Sequence, residues 1–355
     1  MEKILVINPG STSTKISVFD GENCLFTDSI QHTPSELEKY GSVMEQFAFR
    51  KALVETCMEQ HGIRPETLTG IVSRGGLIGP VKCGAYEIND DMIWQLENRP
   101  VNEHASNVGA KIALTIAREQ RIPAYVYDCI TVDELDEINR LTGLKEIRRA
   151  GLGHNLNTRA AAVRYASENG LQYQDVTVIV AHLGGGITVN LHHNGRIVDL
   201  ASDEDGPFSP ERSGALPVHQ LIHLCFQPGM SDREMMKKVK REGGLMSHLG
   251  TTDCMEVERR IADGDQNAKL VYDSMCLNIA KNIARCAPYA FGKIDAILLT
   301  GGIAYSQYVT EYVSARVRFI APVIVYPGEN EMLSLAKGCL RVLRGEESAH
   351  TFHRI

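Results

Sequence analysis

The sequence predicts an α/β protein of two domains made by duplication, and three observations carry that prediction. The chain has 355 residues, more than the roughly 250–300 at which a single hydrophobic core stops growing. Residues 4–21 (ILVINPGSTSTKISVFDG) and 178–195 (VIVAHLGGGITVNLHHNG) share one grammar at a constant offset of 174 positions. The offset sets Val6 on Val180, Gly10 on Gly184, Thr14 on Thr188 and Gly21 on Gly195. Each copy is followed by stretches of helical periodicity, GAKIALTIAREQ in the first half and KLVYDSMCLNIAKNIARCA in the second. The order implies mixed sheets flanked by helices. One domain is expected over 1–160, completed by the C-terminal helix 336–355, and the other over 161–335, with a cleft between them.

In both copies an apolar run meets a turn rich in glycine and hydroxyl residues. A second, alternating run follows and ends in Asp-Gly or Asn-Gly, the grammar of a β-hairpin and a further tight turn. A turn without side chains lets backbone N–H groups converge on an anion, so the turns at Gly10 and at Gly184–Gly186 are candidate phosphate cradles. Either one alone reads more readily as an ordinary hairpin turn; their equivalent places in the repeat reverse that preference and favour anion binding. The first is not a P-loop, because Gly10 to Lys15 lacks the second glycine and continues as the strand-like KISVFDG. GLGHNL at 151–156 lacks the third glycine and the preceding strand of a dinucleotide fingerprint. A third junction, where DAILLT runs into Gly301, Gly302 and Ile303, reads as a strand-to-helix turn suited to the rest of a nucleotide.

Composition excludes several classes of function. Net charge is −7 and the basic residues are scattered. The cluster Lys237, Lys238, Lys240 and Arg241 reads as the wet face of a helix, so no nucleic-acid partner is expected. The N-terminal MEKILVINPG enters a strand directly, with no basic region or cleavage site, and no segment has the apolar length to cross a bilayer. A cytoplasmic protein without a membrane partner is expected. Nine cysteines without a C-x-x-C pair signal neither a disulfide framework nor a structural zinc site. His219 and His223 stand four apart in HQLIH, but Gln220 occupies the place of a metalloprotease glutamate, and the pair reads as lining or capping a helix.

Six segments together carry a resemblance: NPGSTSTK (8–15), SRGGLIGP (73–80), AHLGGGI (181–187), DGPFSPERSGALP (205–217), GGIAYS (301–306) and GENEMLSLA (328–336). They resemble the superfamily of acetate and sugar kinases, heat-shock chaperones and actin, and within it the acetokinase family, nearest to the members that act on butyrate. The resemblance implies two duplicated actin-like (ribonuclease H-like) domains. It also implies a reversible reaction in which ATP phosphorylates a short-chain or branched carboxylate, butyrate above all, to an acyl phosphate plus ADP, with Mg2+ on the nucleotide. A homodimer or higher homo-oligomer is expected. The alternatives are an acetate or propionate kinase, or an actin-like or chaperone-like nucleotide switch, which would need additional subdomains.

Residue by residue, Asn8, Gly10, Ser11, Ser13 and Lys15 match the family's first phosphate motif, where Asn8 positions magnesium through water. Gly184, Gly185 and Gly186 match the second phosphate loop, and Gly301, Gly302 and Ile303 the remaining nucleotide contact. His182 falls where the family places a donor to the phosphoryl group in flight. Arg212 falls on the arginine that stabilises transition-state charge, and its bland reading is a surface ion pair. Asp128 resembles the aspartate near the magnesium and the nucleophile, and Glu331 the glutamate that holds magnesium through water; either could instead cap a turn or helix. Acetate kinases carry an arginine where this chain has Ile71. Arg74, beside Gly75 and Gly76, is therefore the candidate clamp for the substrate carboxylate, with Leu77, Ile78 and Val81 as candidates for the acyl tail.

Overall fold

In the computed structural model, which describes residues 2–202 and 204–354, each apolar run of the repeat opens a sheet. The chain divides into two units, Met1–Asp133 with Asn330–Ile355, and Glu134–Glu329. In the first unit β1 (Lys3–Pro9), β2 (Ser13–Asp20) and β3 (Asn23–Gln31) form an antiparallel meander. Across the chain follow β4 (Gly70–Ser73), β5 (Ala85–Glu87) and β6 (Ala124–Tyr127). β4 lies parallel to β1 and to β6, β5 runs antiparallel to β6, and the short strand His350–Thr351 extends the edge. The order is thus His350–Thr351, β5, β6, β4, β1, β2, β3.

The second unit repeats the plan with β7 (Thr177–Leu183), β8 (Ile187–His193), β9 (Arg196–Ala201), β10 (Ala296–Gly301) and β11 (Val323–Pro327), in the order β11, β10, β7, β8, β9. The central four, β4-β1-β2-β3 and β10-β7-β8-β9, correspond strand for strand, with β6 and β11 in the next place. Lys3 and Pro9 each lie 174 residues before Thr177 and Leu183, so the offset seen in the sequence is the offset of the strands.

β1 reads as a continuous apolar run because both of its faces are covered. Leu5 and Ile7 join the core under the helices Phe47–Gln60 and Ser106–Gln120. Ile4 and Val6, one residue out of phase, point to the opposite face, on which helix Glu331–Leu343 packs against β1, β4 and β6. In the second unit helix Gln266–Cys286 buries Val271, Met275, Ile279 and Ile283 among other residues, a stripe at helical spacing laid on β7, β8 and β9. Asp265 caps it by accepting from Ala268 N at 2.9 Å. Helix Asn155–Glu168 covers the other face through Ala161, Ala162 and Ala166.

The lysine cluster lies on helix Asp232–Lys240, where Met235 is buried and the lysines are exposed. His219 and His223 lie on helix Val218–Cys225, no residue of which is buried. Among the described residues no helix is long and apolar enough to cross a membrane.

His192, inside β8, yields a pH prediction. It is fully buried; Nδ1 meets the Tyr173 hydroxyl at 2.8 Å and Nε2 has no partner. Burial holds its pKa well below the ordinary value of 6.5, and the Arg159 charge pushes the same way. Below about pH 6.5 the unfolded chain takes a proton that the folded chain refuses. The stability contributed by neutral His192 is therefore complete above that pH and falls with acidification by up to about 1.4 kcal/mol per pH unit. Urea midpoints at pH 7 and 5.5 should diverge more for the wild type than for His192→Leu, and equal slopes would remove His192 as the cause.

Candidate active site

The parallel strands β1, β4 and β6 of the first unit end side by side, and their C-terminal tips carry the predicted chemistry, as in open α/β sheets generally. Arg74 follows β4 directly and its N–H donates to the Ile7 carbonyl at 3.1 Å. Only 8% exposed, it sets Nε 2.8 Å from Glu331 Oε1, while Asn8 Nδ2 donates to Glu331 Oε2 at 2.7 Å. Asn8 and Arg74 thus share the Glu331 carboxylate, which stands at the first position of helix Glu331–Leu343, where the helix dipole favours negative charge. Glu331 does not cap a turn; it joins the tips of two strands.

Asp128, just after β6, is 1% exposed and takes a positive φ of 40°. Its Oδ1 accepts from Gly84 N at 2.9 Å, and its carbonyl faces Arg74 Nη1 at 3.5 Å. Gly75 and Gly76 pack tightly: a Cβ on Gly76 would lie 2.6 Å from Asn107 Oδ1, the same oxygen that accepts from Leu77 N at 2.9 Å. Of the three candidates for the acyl tail, Ile78 is wholly buried in the core of this unit and is excluded from that role. Leu77 and Val81 keep partial exposure.

At the first glycine turn the carbonyls of Gly10, Thr12 and Ser13 are all taken up by groups of the same unit. Gly10 N donates to Ser13 O at 2.8 Å, His32 N to Thr12 O at 2.8 Å, and Arg50 to the carbonyls of Gly10 and Ser13 at 3.1 Å each. Ser11 and Thr12 are exposed, and their N–H groups have no acceptor among the described residues. Ser13 opens β2, and Lys15 lies directly opposite Asn8, which places the two side chains on one face.

In the second unit His182 is 1% exposed on β7. Its Nε2 lies 3.3 Å from Glu329 Oε1, its Nδ1 is buried without a partner, and its ring stacks on His154 at 4.3 Å. Gly184, Gly185 and Gly186 make the tight turn into β8; Gly184 N donates to Gly186 O at 3.2 Å, and the Gly185 carbonyl accepts from Ser209 Oγ at 2.6 Å. The Arg212 guanidinium lies across Gly186, where a Cβ would come within 2.6 Å of Cζ. Its backbone is held at both ends, with Ser209 N donating to Arg212 O at 3.0 Å and Arg212 N to Ser209 Oγ at 3.2 Å. Glu211 stands 3.9 Å from Arg212 Nε, at the limit of an ion pair.

The third junction differs from the sequence reading. β10 does not run into an α-helix. Gly301, at φ 92° and with its Cβ position blocked by the Leu183 backbone, exchanges two hydrogen bonds with Gly328 at 3.1 and 3.0 Å. A 3-10 turn, Gly302–Tyr305, follows, and helix Gln307–Val317 starts only after its cap Ser306. Gly302 is exposed and Ile303 half-buried. This junction offers an open backbone rather than a helix N-terminus.

Sequence reasoning missed Arg50, His154, Ser209 and Glu329. Glu329 stood in a quoted segment, but Glu331 two residues on drew the assignment. Ser209 precedes Arg212 by three residues, a spacing that could have signalled a brace.

A family model described as the Acetokinase family matches residues 139–338. Over 354 residues the chain is 44% identical to Butyrate kinase 1 of Clostridium acetobutylicum, covering 99% of this chain and 100% of that one. It is 43% identical over 352 residues to Butyrate kinase 2 of the same organism, covering 99% of each. Among solved structures the acetate kinase of Porphyromonas gingivalis matches with a TM-score of 0.82 at 19% identity, over 97% of this chain and 100% of that one, a likeness of fold. The two mixed sheets flanked by helices are thus actin-like in plan. With a likeness that runs unbroken from one end of the sequence to the other, the chain belongs to the acetokinase family.

Proposed function

We propose that this protein transfers the γ-phosphoryl group of ATP reversibly to a short-chain carboxylate, butyrate above all, forming an acyl phosphate and ADP. The observation that carries the reading is the end-to-end identity of 44% with a kinase named for butyrate. Both reactants are anions, so the protein must supply cations and N–H donors where they meet. Arg74 supplies the first: Glu331 occupies Nε, while Nη2 bonds to no described residue and is available to a substrate carboxylate. In the second unit His182 and Arg212 act on the transferring phosphoryl group. The N–H groups of Ser11 and Thr12, without an acceptor among the described residues, the turn Gly184–Gly186 and the open backbone at Gly302 bind the nucleotide. Asp128 braces the loop at Gly84 and orients Arg74 through its carbonyl; it takes no proton, because a carboxylic acid is already ionised at neutral pH.

Asn8 and Glu331 offer oxygen donors at the strand tips, a hard set that suits Mg2+ held through water. Bound there, magnesium would neutralise charge on the phosphates. A homo-oligomer is supported by the exposed apolar side chains Leu216, Val218, Ile222 and Phe226. A cytoplasmic setting is supported by the nine free cysteines.

An ATP-dependent acyl hydroxamate assay across acetate, propionate, butyrate, isobutyrate and valerate tests the reading. Two methylenes beyond acetate contribute about 0.8 kcal/mol each when buried, so butyrate should exceed acetate roughly tenfold in kcat/KM. Arg74→Ala should depress kcat/KM for every acid by a similar factor, at least about tenfold, because the head group is common to all. Equal or better use of acetate by the wild type would instead favour an acetate kinase.

A further inference from the structure

We propose that Arg50 is a built-in counter-charge for the first phosphate turn. It is a buried guanidinium that holds the turn's carbonyls inward and stabilises a nucleotide phosphate bound on the outer side. The inference rests on the nucleotide-binding reading above and deepens it by naming the residue that charges the turn.

Three arginines are buried among the described residues: Arg50, Arg74 and Arg159. Arg159 has a carboxylate oxygen of Glu134 at 2.5 Å and Arg74 one of Glu331 at 2.8 Å. Arg50, at 1% exposure the most buried, has none. Its Nε donates to Gln46 Oε1 at 2.9 Å, Nη1 to Ser13 O at 3.1 Å and Thr14 Oγ1 at 2.9 Å, and Nη2 to Gly10 O at 3.1 Å. Every acceptor is neutral. A buried charge with no opposite charge is costly and is ordinarily paired. Desolvation lowers the Arg50 pKa only to about 10, so the cation persists at neutral pH. The titratable neighbour His32, which meets Thr14 Oγ1 at 2.8 Å, supplies no negative charge; burial first and Arg50 second disfavour its protonation.

Tying down carbonyls does not require a cation. In the second unit the hydroxyl of Ser209 does the same for Gly185 at 2.6 Å. What the guanidinium adds is its charge. The Gly10 carbonyl is aimed at Arg50, so the Ser11 N–H, opposed to it in the same trans peptide plane, is turned away from the guanidinium; this N–H and that of Thr12 have no acceptor among the described residues, and dipole and charge together make the exposed side of the turn positive. An anion there is the missing partner. Arg50, on the inner side of the turn, is 1% exposed, so solvent screens its attraction for an anion only weakly.

The test is calorimetric titration of the full-length protein with ADP and, as a probe without phosphate, with adenosine. Arg50→Gln should bind ADP at least tenfold more weakly than the wild type and adenosine within about twofold. Arg50→Lys keeps the charge and loses the fork, and should bind ADP within about threefold of the wild type. Unchanged ADP affinity in Arg50→Gln overturns the inference, and so does an equal loss for ADP and adenosine, which marks a merely structural role. If Arg50→Gln does not fold, Arg50→Lys decides alone, since a tenfold loss of ADP affinity there means that fork geometry and not charge matters. A wild type that binds no ADP overturns the nucleotide reading as well.

Discussion

Arg212→Ala should lower kcat by about 10³–10⁵, the range for an arginine that stabilises a phosphoryl group in flight, while the Kd for ATP changes by only a few-fold. In the transition state the transferring group flattens and its charge is redistributed over the equatorial oxygens, and a donor fixed in advance stabilises that arrangement without reorganising. The Arg212 backbone is tied at both N–H and carbonyl to Ser209, and its segment is held further by Gly243 N donating to Glu211 O at 3.1 Å, which supports such a role. Arg212→Lys should recover little, because a point charge cannot reproduce the planar fork. Steady-state kinetics with a nucleotide-binding titration separate the possibilities. A near-normal kcat beside a raised KM for ATP would show that Arg212 binds the ground state alone.

Gly186→Ala is expected to lower kcat about 10²-fold without unfolding the protein. The added Cβ would stand 2.6 Å from Arg212 Cζ and 3.1 Å from Nε, so the guanidinium must move, and a displacement of about 1 Å at a catalytic group can cost that much. The double variant decides the mechanism. On an Arg212→Ala background the extra methyl meets no guanidinium, and Gly186→Ala should then cost almost nothing further. A full 10²-fold loss in both backgrounds would show that the turn itself, and not the arginine above it, needs the glycine.

The duplicated sheets were legible because hairpins announce themselves locally: an apolar run, a glycine turn and an alternating run cannot easily be anything else. The glycine turns stand between the paired strands where the repeat puts them, and Arg74 stands beside its glycines just after β4. What the sequence hid depends on contacts made far along the chain. Arg50 sits in FAFRKALVETCMEQ, where an arginine beside a lysine reads as a solvated helix face; only the fold shows that Lys51 faces Glu55 and Glu119 while Arg50 turns under a loop 40 residues earlier. The sharing of Glu331 by Asn8 and Arg74 spans 323 positions and has no local signature. Ile78 looked like pocket because it follows Arg74 closely, but its side chain belongs to the core of the first unit. At Gly301 the helix was expected one turn too early, since a glycine pair after a strand does not reveal whether a 3-10 turn intervenes.

Helix Glu331–Leu343 closes one face of the first sheet, yet the whole of Glu134–Glu329 is synthesised between that sheet and its cover. At about 5–20 residues per second a ribosome needs roughly ten to forty seconds for that stretch. Throughout, the side of β1 that carries Ile4 and Val6 waits without Leu335, Ala336, Cys339 and Leu340. The contiguous unit, 134–329, can complete its core while the first is still open, so the N-terminal half of this chain is the later to mature, and its nascent sheet is the surface that a chaperone has longest to meet.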